Sequence, residues 1–191
     1  MVKMLHIFSN WKWTGPAEHA LNAAVYFKKK GYGVVFACAS PPVPVEDSLL
    51  KRARDAGLAL ADGLYLNKHC HPWQNARDIF RLRACIHKYR FQLIHTHLSN
   101  DHLLVAGALA LGKRHVPVIR TVYDGLELPP TPRNRLLINH GTDRLITVSQ
   151  ASKRSISRDF TVPADRIHAI CPGVDVNYFN PQIDGLAVRE R

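Results

Sequence analysis

The chain predicts an α/β fold in which about seven mostly parallel strands form one doubly wound sheet with helices on both faces. Two observations carry this. Residues 4–38 spell a strand (M-L-H-I-F-S), a loop with one glycine (N-W-K-W-T-G-P), a helix (A-E-H-A-L-N-A-A-V-Y-F-K-K-K) and a second strand (G-Y-G-V-V-F-A-C), the opening unit of a parallel sheet. Short apolar runs then alternate with amphipathic segments as far as R-I-H-A-I-C, which ends at Cys171.

In the first helix Ala17, Ala20, Leu21, Ala24 and Phe27 recur on one face, while Glu18, Asn22 and Lys29 fall opposite, so one side is built to lie on a sheet. Gly15 is placed as the N-cap, Pro16 as the first helical residue, and Gly31 after three lysines as the stop. The loop thereby brings backbone N–H groups to the carboxyl edge of the sheet, where ligands of open α/β sheets bind and a helix start favours anions. The strand beginning at Met4 is expected to be central, because its loop must meet that edge.

The prolines of S-P-P-V-P-V-E exclude helix and central strand, so a loop follows the second strand. A short helix is expected from about Glu46 to Ala56, then strand pieces at Leu58–Leu60 and Leu64–Leu66. The loop N-K-H-C-H-P invites a metal reading that fails for want of a second ligand pair nearby. From Trp73 to Arg90 a helix carries Ile79, Leu82, Ile86 and Tyr89 on one face and a basic stripe of Arg77, Arg81 and Lys88 on another. Either solvent or anionic lipid headgroups suit that stripe. The strand Q-L-I-H-T-H leads into a helix from His102 to Leu111, capped by Ser99 or Asn100. His95 and His97 share one face of the strand end, and His97 lies further out. Such an H-x-H pair could ligate a metal, but no third ligand is evident, and lining a cleft is the expected role. V-P-V-I-R-T-V is the next strand, with Tyr123-Asp124 at its end; a loop containing Arg133 and Arg135 precedes a short helix near Leu136 to His140. R-L-I-T-V-S is followed by a helix Gln150 to Asp159 with Ser149 placed to cap it, and R-I-H-A-I-C is the seventh strand.

A hydrophobic fraction of 46% over 191 residues allows one sizeable core. Four cysteines without C-x-x-C spacing read as buried free thiols in a reducing compartment, not as a zinc site or a disulfide framework. The N-terminus lacks the pattern of a signal peptide, and no run approaches the roughly 20 apolar residues of a membrane span. With 26 Lys and Arg against 15 Asp and Glu, the net charge of +11 favours polyanionic partners: phosphate-bearing ligands, an anionic membrane surface or nucleic acid. Nucleic acid is excluded from the expected partners, since no RNA-binding aromatic signature, zinc finger or basic repeat is present.

Four blocks stand in a telling order: T-G-P-A-E, L-I-H-T-H, V-I-R-T-V-Y-D, and D-R-L-I-T-V-S continuing to R-I-H-A-I-C-P-G-V-D-V-N-Y-F-N-P. Together they resemble the N-terminal half of the two-domain retaining glycosyltransferases of the group 1, family 4-like type, which includes sucrose synthase-like and lipopolysaccharide or mannosyl transferases. The resemblance covers essentially the whole chain, and the last block is its most specific part. It implies one half of a GT-B fold, with residues 1–180 as the Rossmann-like, acceptor-side domain. Residues 181–191 are expected to be a tail or the start of a linker to a C-terminal donor-binding domain that this chain lacks. The implied activity is transfer of a sugar from a nucleotide-sugar donor to a saccharide or lipid-linked acceptor in cell-envelope or polysaccharide synthesis. The implied place is the cytoplasm, with room for peripheral contact on the inner face of an anionic membrane.

Carried onto this sequence, the resemblance makes Gly15 a contact for the donor phosphates and His97, Tyr123, Asp124, Arg133 and Arg135 the acceptor-binding residues. It assigns no catalytic residue, and neither a metal nor a cofactor is expected, the nucleotide sugar being a co-substrate. Two departures matter. Pro16 replaces a second glycine of the first loop and removes one N–H donor. Tyr123 stands where many members have histidine, and a phenol with an ordinary pKa of about 10 is a poor base at neutral pH. Two other readings compete. A dehydrogenase is disfavoured, because G-x-G-x-x-G is absent and no acidic residue closes V-V-F-A-C-A. A non-catalytic acceptor-binding or membrane-docking subunit of a split transferase is the alternative from a different class.

Overall fold

The computed structural model describes residues 1–112, 115–123, 128–174 and 176. In chain order the elements are β1 (Lys3–Phe8), α1 (Gly15–Lys29), β2 (Gly33–Cys38), α2 (Leu49–Asp55), β3 (Ala59–Leu60), α3 (Pro72–Tyr89), β4 (Leu93–Thr96), α4 (Ser99–Ala110), β5 (Val118–Val122), α5 (Pro132–His140), β6 (Arg144–Thr147), α6 (Gln150–Asp159) and β7 (Ile167–Ala169). The sheet order is β3-β2-β1-β4-β5-β6-β7, and every pairing is parallel. The chain therefore winds outward from β1 in one direction, returns through α3, and winds outward from β4 in the other. The switch lies between β1 and β4, the place where such sheets open a crevice at their carboxyl ends.

Burial follows the pleat. Met4, Phe8, Val34 and Phe36 pack under α1 and α2, which contribute Ala17, Ala20, Leu21, Ala24, Leu49 and Ala53. Leu5, Ile7, Val35 and Ile94 face the other way, against Leu82 and Ile86 of α3 and Leu104, Val105 and Ala108 of α4. A third cluster joins Val122, Leu145 and Ile167 to Ile138 of α5 and Ile156 of α6. The alanine face of α1 lets that helix lie close over β1 and β2. Among the described residues no helix is long and apolar enough to cross a membrane.

Local differences from the sequence expectation each have a cause. Helix α1 begins one residue early: Thr14 is the N-cap, its carbonyl accepts from the Glu18 N–H at 2.9 Å, and Gly15 is already helical. Leu64–Leu66 is not a strand. The buried carboxylate of Asp78, on α3, accepts from the N–H groups of Tyr65 at 2.9 Å and Leu66 at 2.8 Å, which removes them from any ladder and holds Leu66 at φ 47°. Helix α2 starts at Leu49, because the Ser48 hydroxyl accepts from the Lys51 N–H. Arg133 and Arg135 lie in α5 and not in a loop, since Thr131 caps that helix through the Asn134 N–H and Pro132 occupies its first position. Only Cys38 is fully buried; Cys85 is half-buried, and Cys70 and Cys171 are exposed. The P-G-V-D turn beyond Val174 and the stretch 181–191 lie outside the described residues, apart from Val176.

Candidate active-site cleft

The carboxyl ends of β1 and β4 are stitched together by one carboxylate. Asp101, fully buried in the first turn of α4, accepts from the backbone N–H groups of Ser9, His97 and Leu98, and its own N–H donates to the Ser9 hydroxyl at 3.1 Å. Burial pushes this carboxyl up to about 7, against the opposing pull of the Arg120 guanidinium 3.5 Å away and the three N–H donors. The Asp101 bond to the Leu98 N–H also satisfies the N-cap backbone of α4, so Leu98 precedes the helix where a serine or asparagine cap is expected.

On the α1 side of the sheet this arrangement orders a group of aromatic and imidazole rings. His6 of β1 is the register partner of His95 of β4, so both rings point the same way, and His97 follows two residues on. His6 Nδ1 lies 3.3 Å from His97 Nε2, and His97 Nδ1 shares a hydrogen bond of 2.8 Å with the Tyr123 hydroxyl. His95 Nε2 shares one of 2.7 Å with the Thr121 hydroxyl. His19, one turn into α1, stacks on Tyr123 at 6.1 Å between ring centres. Burial holds all three strand histidines in the neutral form: His6 is lowered to about 4, and His95 and His97 fall well below the usual range, with His6 and Arg120 adding to the effect of burial on both. Burial likewise pushes the Tyr123 phenol well above its usual range.

His19, His95, His97 and Tyr123 line a cleft of about 530 Å³ between α1 and the uncovered half-face of the sheet, bordered at its far end by Ile170, Pro172 and Gly173 beyond β7. The groups at hand are imidazole nitrogens, the hydroxyls of Tyr26, Thr121 and Tyr123, the Asn22 amide and apolar walls. That set binds and orients a polyol by hydrogen bonds; Tyr123, His95 and His97 supply no strong base, because burial keeps the proton on the phenol and weakens proton uptake by these two imidazoles.

Among the residues singled out from the sequence, His97 and Tyr123 meet directly, and Asp124 lies outside the described residues. Gly15 sits at the exposed start of α1, one turn before His19, and no atom lies within 4 Å of where a Cβ would be, so a ligand can approach its backbone closely. Arg133 and Arg135 do not line the cleft. They are exposed in the first turns of α5, on the α4 side of the sheet, where Arg135 Nε donates to the Pro130 carbonyl. Sequence reasoning missed His6, Ser9 and Asp101 as parts of this arrangement. A histidine inside a strand otherwise apolar on both faces, L-H-I-F, was the available signal for the first. Nothing local marks Asp101, whose role depends on the pairing of β1 with β4.

The sequence profile described as Glycosyltransferase Family 4 matches residues 13–178. The chain belongs to this family. Among curated proteins it is 27% identical to a D-inositol 3-phosphate glycosyltransferase of Xylanimonas cellulosilytica, over 58% of this chain and 31% of that protein. Among solved structures it resembles a glycosyltransferase of Rickettsia africae, with a TM-score of 0.72 at 16% identity, over 99% of this chain and 48% of that one. It also resembles Anabaena HepE in complex with UDP-glucose, with a TM-score of 0.71 at 14% identity, over 100% of this chain and 50% of that one. At these identities the structural likeness fixes the fold, one Rossmann-like half of the GT-B architecture. The chain spans about half the length of these structures and a third of the curated relative. It is thus a glycosyltransferase domain of the family, with its cleft at the carboxyl edge that the switch between β1 and β4 creates.

Proposed function

We propose that this domain is the acceptor side of a transferase that moves a sugar from a nucleotide-sugar donor to a saccharide or lipid-linked acceptor. The observation that carries the reading is the hydrogen-bonded pair of Tyr123 and His97 in a cleft with no Lys, Arg, Asp or Glu among its described lining residues, which suits a hydroxyl-rich acceptor better than a diphosphate. Tyr123 would hold the acceptor hydroxyl, His97 would fix the phenol, and Asp124 would add a charged partner at the same strand end. The start of α1 at Gly15 would face the donor phosphates with its N–H groups, and a second domain would supply the nucleoside site and most of the cations. No metal is needed for that charge when N–H dipoles and basic side chains surround it. Arg133 and Arg135 would serve an acceptor phosphate or carboxylate that extends past the sheet edge toward α5.

A cytoplasmic location with peripheral contact on an anionic membrane belongs to the same proposal. Its support is the net charge of +11 together with the outward face of α3, where exposed Trp73 and Phe80 flank Arg77 and Arg81. The experiment for the acceptor reading is backbone-amide NMR of the labelled chain titrated separately with polyols and saccharides, free and phosphorylated, and with nucleotide sugars. Acceptor-class ligands should shift the amides of His97, Leu98, Tyr123 and Gly173 and leave Gly31, Gly57 and Gly112 at the opposite ends of the elements unmoved. Saturation of the His97–Tyr123 region by nucleotide sugars alone would refute it.

A further inference from the structure

We propose that His6, His95 and His97 form a binding site for one divalent ion of the zinc class, with a fourth coordination position open to the cleft. One ring nitrogen of each lies within 4.8 Å of those of the other two, and all three side chains are buried. A tetrahedral ion with metal–nitrogen bonds of about 2.0–2.1 Å sets its ligand nitrogens about 3.3–3.4 Å apart. His6 Nδ1 and His97 Nε2 already stand 3.3 Å apart, so the ion can enter between them with little movement of either ring.

The surroundings favour the ligating form of each ring. A metal takes neutral imidazole, and all three rings sit buried on one face of the sheet with their nitrogens turned toward one another. When His97 ligates through Nε2, its Nδ1 carries the proton and donates to the Tyr123 oxygen at 2.8 Å, the outer bond that fixes a ligating histidine in tautomer and orientation. His95 Nε2 shares a hydrogen bond of 2.7 Å with the Thr121 hydroxyl, which ion binding would exchange for coordination. The rings of His95 and His97 are 4.1 Å apart between centres, closer than a shared ion allows, and a rotation of His95 opens them. Three imidazoles with no carboxylate among them select zinc, cobalt, nickel or copper over magnesium, calcium or manganese, which prefer oxygen. His95 and His97 line the cleft, which gives the ion its route in and leaves the fourth position to water or to an oxygen of a bound hydroxyl compound. The site shares His97 and Tyr123 with the acceptor reading and is independent of the donor diphosphate, which that reading meets without a metal.

The test uses the untagged chain of 191 residues, freed of metal by a chelator and titrated with Co2+ while visible absorbance is followed. The proposal predicts the intense bands of four-coordinate Co2+, saturating at one equivalent and abolished by one equivalent of Zn2+. His6→Asn removes them. Tyr123→Phe keeps the stoichiometry and weakens affinity by about 10- to 100-fold, the usual effect of losing an outer hydrogen bond. Circular dichroism establishes that each variant is folded, and His97→Asn replaces His6→Asn if the latter is not. Weak bands of six-coordinate Co2+, or a titration unchanged in the folded histidine variant, would overturn the proposal and assign the ion to exposed histidines such as His69, His71 or His140.

Discussion

Asp101 and His102 are neighbours in one helical turn with opposite electrostatic tasks, and each sets a measurable property. Asp101 is the acceptor for three backbone N–H groups and the partner of a buried arginine, so its truncation strands a charge and several donors at once. Asp101→Ala should therefore cost about 3–5 kcal/mol in urea unfolding, the range for breaking a buried ion pair from one side; a loss under about 1 kcal/mol would place the carboxylate outside the frame of the site. His102 lies 2.9 Å from the Thr142 hydroxyl and is lowered by burial to about 3. Its folded pKa is below its unfolded value of about 6.5, so the unfolded chain binds the extra proton, and the stability due to the neutral ring is lost as pH falls from there toward 3. Between pH 6 and 4 the protein should lose about 1.4 kcal/mol per pH unit more than His102→Gln does. Parallel profiles for the two would show that this ring titrates normally in the folded state. Neither residue announces itself in the sequence: N-D-H reads there as a helix start, which it is, and the pairing that buries it is made by residues 92 and 40 positions away.

The elements themselves were readable because their signals are local. Short apolar runs gave the strands, the 3.6-residue period gave α1 and α3, and Ser149 caps α6 as its placement suggested, accepting from the Ser152 N–H at 3.0 Å. Leu64–Leu66 misled because its apolar pattern is real but its N–H groups are taken by Asp78, a long-range partner that no local pattern reveals. The basic stripe of α3 shows a similar limit. Arg77 donates to the Tyr65 hydroxyl and Arg81 to the Gly63 carbonyl, so both steady the preceding loop as well as facing solvent. If the α3 face also docks on lipid, each charge near an anionic surface is worth about 1 kcal/mol, and Arg77→Gln, Arg81→Gln and Lys88→Gln together should weaken binding to phosphatidylserine vesicles at low salt by roughly 100-fold. Vesicle co-sedimentation that is unchanged in the triple variant would leave these residues with the loop-steadying role alone.

At the scale of the whole molecule, the order β3-β2-β1-β4-β5-β6-β7 places the cleft, since the chain winds away from β1 and β4 in opposite directions there and α1 borders only one side of it. The central place of the first strand and the seven parallel strands were legible in residues 4–38 and the apolar runs that follow, and the family in the four motifs along the chain. The third histidine was not, because His6 and His97 are 91 residues apart and only strand pairing joins them. The central claim, that this domain holds the acceptor and not the donor, has a direct consequence for activity. Charge in the transition state of sugar transfer gathers on the departing diphosphate, and removing even one well-placed donor from such a site costs on the order of 100-fold or more in rate. In the acceptor reading this domain offers only the first-domain share of that set. The decisive measurement is to incubate purified residues 1–191 with a panel of nucleotide sugars and saccharide or lipid-linked acceptors, following nucleotide release and product mass. The account predicts a folded domain with no turnover above the protein-free control. Turnover that persists through repurification would contradict it and would locate a complete donor and acceptor site within this one sheet.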